Sequence, residues 1–238
     1  PFSVGSINFP LEPDGRIHKL GSEYRKLLEQ TYNKKLLDEM TALSVETRSF
    51  AEAVLTGSGI NYAKPKGDRI HFWGPSGTFK QIPFWYVLDP INWNGYLQRG
   101  NFFKDKIVLI GPTADELKDF HKAPFSQSWL YPEPLAGVEI HANAIATLLQ
   151  GKTLQEIIPH TPLKGLFVLL FSVGASWWLS QRKRALTRFG WTVAIVVTWS
   201  AVSYIAFVYG GLIVPVAVPV LAIALSGASY VTTGVAIS

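Results

Sequence analysis

The sequence predicts a two-part fold: an α/β domain outside a membrane over positions 1–160, incomplete at its N-terminus, then an α-helical bundle of three membrane spans over 163–238. Three observations carry this. The last third holds three long apolar runs, Leu163–Ser180, Trp191–Tyr209 and Leu212–Ser238, with Lys164 the single charge among them. About 20 apolar residues at about 1.5 Å rise suffice to cross the hydrocarbon core of a bilayer. The charge is also divided: all 17 acidic and 17 of the 22 basic residues lie in 1–160, so that part is neutral by count. The excess, 22 − 17 = 5, is Lys164, Arg182, Lys183, Arg184 and Arg188. Third, the front part pairs a short β-favouring apolar run, 106–111, with a clear helix, 137–150.

The charge pattern sets the topology. Short loops rich in Lys and Arg stay on the cytoplasmic side. Arg182, Lys183, Arg184 and Arg188 therefore place the first connection inside, the front 160 residues and the Gly210-Gly211 hinge outside, and the C-terminus inside. Trp177, Trp178, Trp191 and Tyr209 fall near span ends, as interfacial aromatic belts require. A net charge of +5 confined to the membrane part excludes a nucleic-acid partner. Position and repetition exclude a signal peptide. The chain has no cysteine, so no disulfide framework, thiol site or cysteine metal cage exists. There is no initiator Met and no segment that would carry 1–160 across a membrane, so an upstream segment is expected.

In chain order, Val4–Phe9 is a short mixed strand. Glu12-Pro13-Asp14-Gly15 is a turn, and Arg16–Leu20 completes a hairpin. Tyr24–Met40 is helical in spacing, interrupted at Thr31-Tyr32-Asn33. Val45–Leu55 is a helix stopping at Gly57. Arg69–Trp73 is a strand closed by Gly74-Pro75-Ser76-Gly77, and Pro83 limits the run after it to an edge. Phe84–Leu88 is a helical turn and Asp89–Gly100 a loop. Lys106–Gly111 reads as a strand buried on both faces. Gly111–Leu130 is a long polar connection. Gly137–Gln150 is a helix with Val138, Ala142, Ile145 and Leu149 as its apolar stripe and Gly151 as its stop. Thr153–Pro162 joins it to the first span with little slack.

No catalytic motif is present. Gly74–Lys80 resembles a phosphate loop only loosely, because its second Gly and its Lys are not adjacent. No HxH or HExxH spacing supports a metal site, so neither metal nor cofactor is expected. Asp119 and His121 leave the end of the expected strand, where open α/β sheets bind ligands. His141 and Asn143, on the first turns of the 137–150 helix, are ligand or coupling candidates; a hydrogen-bonded core histidine is the stronger reading of His141. Glu139 suits the positive end of the helix dipole better than catalysis. Ala224, Ala228, Thr232 and Ala236 recur every four residues, the spacing at which small residues let helices approach. Packing within the chain's own bundle and between two copies are equal readings of that stripe.

Lys106-Ile107-Val108-Leu109-Ile110-Gly111, Asp119…Ala123-Pro124, and Ala136-Gly137-Val138-Glu139-Ile140-His141-Ala142-Asn143-Ala144-Ile145 together resemble the type-two CHASE family of extracytoplasmic sensory modules. Asn8, Asp14, Gly15 and Ile17 match a turn of the same family. His18, Glu12, Ala136 and Ala123 depart from its pattern. The family's domain begins well before the Asn8 turn, in agreement with an upstream segment.

The resemblance implies the sensory and transmembrane part of a bacterial signalling receptor in the cytoplasmic membrane. Its output module would follow the third span: a nucleotide cyclase first, otherwise a serine/threonine or histidine kinase or a diguanylate cyclase. Expected partners are membrane lipid, an extracytoplasmic ligand or protein, and a second copy in a homodimer. The alternative is a structural or accessory subunit of a larger membrane assembly.

Overall fold

The computed structural model describes residues 4–31, 48–182 and 184–236. The chain forms two compact units, Pro1–Thr153 and Leu154–Ser238. In the first, the turn at Glu12 closes as expected: Gly15 N donates to Glu12 O at 2.8 Å, and Leu11 bridges Ile17 in antiparallel sense. Helix α1 is Ser22–Thr31. The rest of the expected Tyr24–Met40 helix, and the start of the one expected from Val45, lie outside the described residues. Helix α2 is Phe50–Gly57. It starts where Ser49 and Glu52 form a reciprocal capping box, which satisfies two backbone donors that the first turn leaves free.

The expected helical turn is α3, Trp85–Leu88. The expected loop Asp89–Gly100 instead opens with helix α4, Pro90–Asn94, and only its end is irregular, where Gln98, Arg99 and Gly100 take left-handed φ before a 3-10 turn that ends at Phe103. Asp89 caps α4 by accepting from Asn92 N at 2.9 Å, and Pro90 supplies the fixed φ of a first helical residue.

Two strand expectations change. Segment 106–111 has no ladder partner among the described residues and is buried on one side only. Ile107 and Leu109 pack on the core, while Val108 and Ile110 are 49% and 79% exposed. Burial on both faces requires a covering layer on each, and here one layer is present. Segment 69–73 is extended and bridges Lys19 through Arg69, but its next backbone bonds run to a helix rather than to a strand. Among the described residues the paired strands of this unit are β1, Phe120–His121, and β2, Leu135–Ala136, antiparallel with Phe120 opposite Ala136.

Helix α5 is Gly137–Gln150, with Gly151 as its C-cap, as expected. Its buried face is not the expected one. Ile140, Ala144, Ile145 and Leu148 are buried with Ala51 and Leu55 of α2 and with Ile17, Leu20, Ile70 and Phe72. Leu149 is 47% exposed, and Val138 and Ala142 are half-buried. The face is rotated because polar Glu139, Asn143 and Thr147 are buried too.

In the second unit, β3, Gln155–Glu156, precedes α6, Thr161–Ser180. Then come α7, Ala185–Gly210; β4, Leu212–Ile213; and α8, Ala217–Ala236. The basic connection is therefore shorter than expected, because Arg188 lies in the first turn of α7. The third apolar run begins as a strand, and its helix starts only after Pro215. Thr161–Ser180 and Leu186–Gly210 are long and apolar enough to cross a membrane, and Ala217–Ala228 is a shorter apolar stretch of α8. Large apolar side chains such as Leu166, Leu170, Val197 and Ile205 are exposed on them. A soluble core helix such as α5 shows the opposite.

The rotated face of α5 is testable. Fully buried Ile140 changed to Ala is expected to lose about 2–5 kcal/mol of unfolding free energy. Leu149→Ala should change it by under about 1 kcal/mol. Denaturant unfolding of both variants checks the pair; equal losses would restore the Leu149 stripe.

Candidate functional site

The site grows from one coincidence of repeats. Two residues of extended chain advance about 6.7 Å. One helical step of four residues advances about 6 Å. Asn143 and Thr147 of α5 can therefore face His71 and Trp73 in register. Trp73 N donates to Asn143 Oδ1 at 3.0 Å, and His71 N donates to Thr147 Oγ1 at 3.1 Å. Asn143 Nδ2 donates back to Glu139 O at 2.9 Å, and Thr147 Oγ1 to Asn143 O at 2.7 Å. Both side chains are at most 1% exposed. They replace a strand neighbour for the 71–73 backbone.

Glu139, one turn earlier, extends the row. Its Oε1 accepts from Gly77 N at 2.8 Å, which holds the Gly74–Gly77 turn against the start of α5. Its Oε2 is buried without a hydrogen-bond partner among the described residues. A carboxylate in the first turn is favoured by the helix dipole, in line with the sequence reading.

Asp119 and His121 meet at the same helix start. Gly137 N donates to Asp119 O at 2.9 Å, and His121 Nε2 lies 3.0 Å from Asp119 Oδ1. A Cβ on Gly137 would stand 2.5 Å from Asp119 Oδ2, and one on Gly111 2.6 Å from Val138 Cβ. A side chain at Gly111 would strike Val138 at its branch point, and one at Gly137 would push the Asp119 carboxylate aside. The Asp119–His121 pair is open to solvent, at 36% and 42% side-chain exposure.

His141 is set inward, between the rings of Phe9 and Phe50, each 4.8 Å away between centroids. Its Nδ1 is buried and has no hydrogen-bond partner among the described residues. Burial pushes its pKa down to about 4; the Asp119 carboxylate opposes that and His121 adds to it. The imidazole is neutral at physiological pH. Burial, with Lys152 adding, also lowers His71. Asp119, His121 and His141 are electrostatic neighbours, but they do not bring three ligand atoms together for a metal.

A second polar cluster was not foreseen. Glu12, Asp14 and His18 bring their ligand-type atoms within 4.8 Å of one another. Arg69 holds Glu12 by two 2.8 Å bonds, and His18 Nε2 lies 2.9 Å from Asp14 Oδ2. Burial alone would raise the Asp14 pKa, but the His18 hydrogen bond and the Arg16 backbone N–H outweigh it and bring it below the usual value. Arg16 Nη1 donates to Ala123 O at 2.5 Å and Ser126 O at 2.9 Å, locking this turn to the loop after β1. The signal for this cluster was the density of charge in Glu12–His18, which reads equally as an exposed turn.

These polar groups fix loops around one helix start in a unit followed by apolar helices. The chain order, this unit and then two helices long and apolar enough to cross a membrane, suggests a membrane-attached domain. The chain belongs to the CHASE2 family: the CHASE2 domain pattern matches residues 1–179, which confirms the resemblance read from the sequence. CHASE2 is an extracellular sensor domain of signalling receptors. No curated protein and no solved structure matches the chain.

Two outcomes test the site. Asn143→Ala leaves the part-buried Trp73 N–H without this partner and is expected to cost about 1–3 kcal/mol, read by unfolding. The depressed His141 pKa acts as follows with pH. Below about 6.5 the unfolded chain binds a proton that the folded chain refuses until about 4. Stability is present above pH 6.5 and is lost as pH falls through that window, by up to about 3 kcal/mol. His141→Phe should flatten the part of this slope that His71 does not supply; an unchanged slope would refute the assignment.

Proposed function

We propose that this chain is the sensory and transmembrane region of a bacterial receptor, which passes an extracytoplasmic signal to a cytoplasmic output module. The carrying observation is that the CHASE2 match runs through Thr153–Pro162 and on to residue 179, within α6. The sensor and the first apolar helix therefore belong to one matched stretch.

In this reading α6, α7 and α8 are three spans, with residues 1–160 outside and the C-terminus in the cytoplasm. Arg182, Arg184 and Arg188 at the α6–α7 connection support that orientation. Arg182 stacks on the Trp178 ring at 4.2 Å, and Trp178 meets Trp191 at 5.0 Å, which gives that end the aromatic–cationic character of a membrane interface. Lys183 lies outside the described residues.

The output module is a nucleotide cyclase in the first instance, otherwise a serine/threonine or histidine kinase or a diguanylate cyclase. The receptor is a homodimer. Support for a second copy comes from Ala224 and Ala228, which are exposed, while Ile223 and Gly227 on the adjacent face of α8 are buried. Thr232 and Ala236 continue the stripe in sequence; their side chains lie outside the described residues. A ligand or protein that favours one arrangement of the loops around α5 would shift the population toward that state.

The absence of cysteine makes single-cysteine labelling clean. In intact cells, exposed Lys66→Cys should react with a membrane-impermeant maleimide, and Arg184→Cys should react only after permeabilisation. Ala228→Cys should cross-link between copies. The reverse labelling order would overturn the orientation, and a monomer resistant to cross-linking would overturn the dimer.

A further inference from the structure

The strand that leaves the sensor is tied to the far corner of the helical unit. β3 and β4 are parallel, with Gln155 opposite Leu212 and Glu156 opposite Ile213. Gln155 N donates to Gly211 O at 2.9 Å, and Ile157 N to Ile213 O at 3.1 Å. Gly211 is the C-cap of α7, and β4 leads into α8. Glu156 also accepts from Lys164 Nζ at 2.5 Å. Lys164 sits in the first turns of α6, where the helix dipole disfavours a cation, so the carboxylate of β3 offsets a local cost. On its other side the corner is held by Trp199 of α7, whose Nε1 donates to Pro215 O at 3.1 Å. The two residues of β3 and Ile157 after them therefore touch the start of α6, the end of α7 and the entry to α8. In an up–down–up bundle these are the same end.

We propose that the β3–β4 clasp is the coupling element of the receptor: displacement of the segment that follows α5 acts on all three helices together, and not on α6 alone. This deepens the receptor reading and rests on it. A connection through the chain alone would move only the first span. The clasp adds backbone hydrogen bonds to the corner between the second and third, and that corner is stiffened by Trp199. Backbone bonds suit this task because they fix register, and a shift by one residue would break both.

The test uses the full chain in nanodiscs and needs no ligand. The probe is Ile140→Ala, which loosens α5 inside the sensor. The readout is amide hydrogen exchange at Gln155, Ile157 and the 211–216 corner. With the clasp intact, Ile140→Ala should speed exchange at Gln155, Ile157 and the corner by about tenfold or more. Adding Ile157→Pro removes the donor to Ile213, and the corner should then no longer respond to Ile140→Ala, while the first turn of α6 still does. A corner that responds equally with the clasp broken, or amides at 155 and 157 that exchange freely in the wild type, would overturn the proposal.

A second measurement guards against misfolding of the proline variant. Gln155→Cys with Leu212→Cys should form a disulfide on mild oxidation, since opposed strand residues lie within bridging distance. Failure to bridge in a folded protein overturns the clasp. The receptor reading fails separately, if the native protein carries no cytoplasmic output, and that result leaves the exchange measurements untouched.

Discussion

The sensor unit depends on the bonds that Asn143 and Thr147 make to the backbone of His71 and Trp73. An extended segment inside a domain must satisfy its N–H and C=O groups. A neighbouring strand normally does this. Here α5 does it with two side chains one turn apart, because four helical residues and two extended residues advance by nearly the same distance. That choice turns a polar edge of α5 inward and rotates its apolar face onto Ile140, Ala144 and Leu148. It also brings Glu139 onto the Gly74–Gly77 turn and His141 between two phenylalanine rings. One set of hydrogen bonds thus places the candidate residues at the helix start.

The same dependence explains which parts of the fold were legible. The limits of α5 were readable because Gly151 stops the helix and its apolar residues keep helical spacing. Its buried face was not, because polar Asn143, Thr147 and Glu139 lie outside any apolar stripe, and the backbone partners that bury them are 62 to 76 residues away. The Lys106–Gly111 run was readable as extended. Its burial was not, since that depends on what covers Val108 and Ile110. The short α4 did carry a signal, Asp89 followed by Pro90, which is a capping residue before a first-turn proline. The apolar helices were legible through length and composition; the start of the third was shifted because Pro215 and β4 occupy its first residues.

Of the candidate residues, Asp119, His121, Glu139, His141 and Asn143 all gather at or near the start of α5, but with different roles. Asn143 and Glu139 hold backbone. His141 is half-buried between two rings and neutral. Asp119 and His121 keep 36% and 42% of their side chains open to solvent, beside the first residue of α5. A ligand or partner reaching Asp119 would press on the helix whose far end leads through Thr153 to β3. Under the proposed coupling, the signalling path would be short: helix start, helix, clasp, helical unit. Each step is a packed or hydrogen-bonded contact within its own unit, joined by three residues of chain from Gly151 to Thr153.

The central claim is that this stretch is the sensing and membrane part of a receptor with a cytoplasmic output. The most direct measurement is the mass of the intact protein from its native source, with peptides mapped beyond Ser238. The account predicts a cyclase or kinase domain after the third helix, and that domain would name the product to assay. A natural terminus within a few residues of Ser238 would contradict it and leave a membrane subunit whose fixed partners must be sought instead.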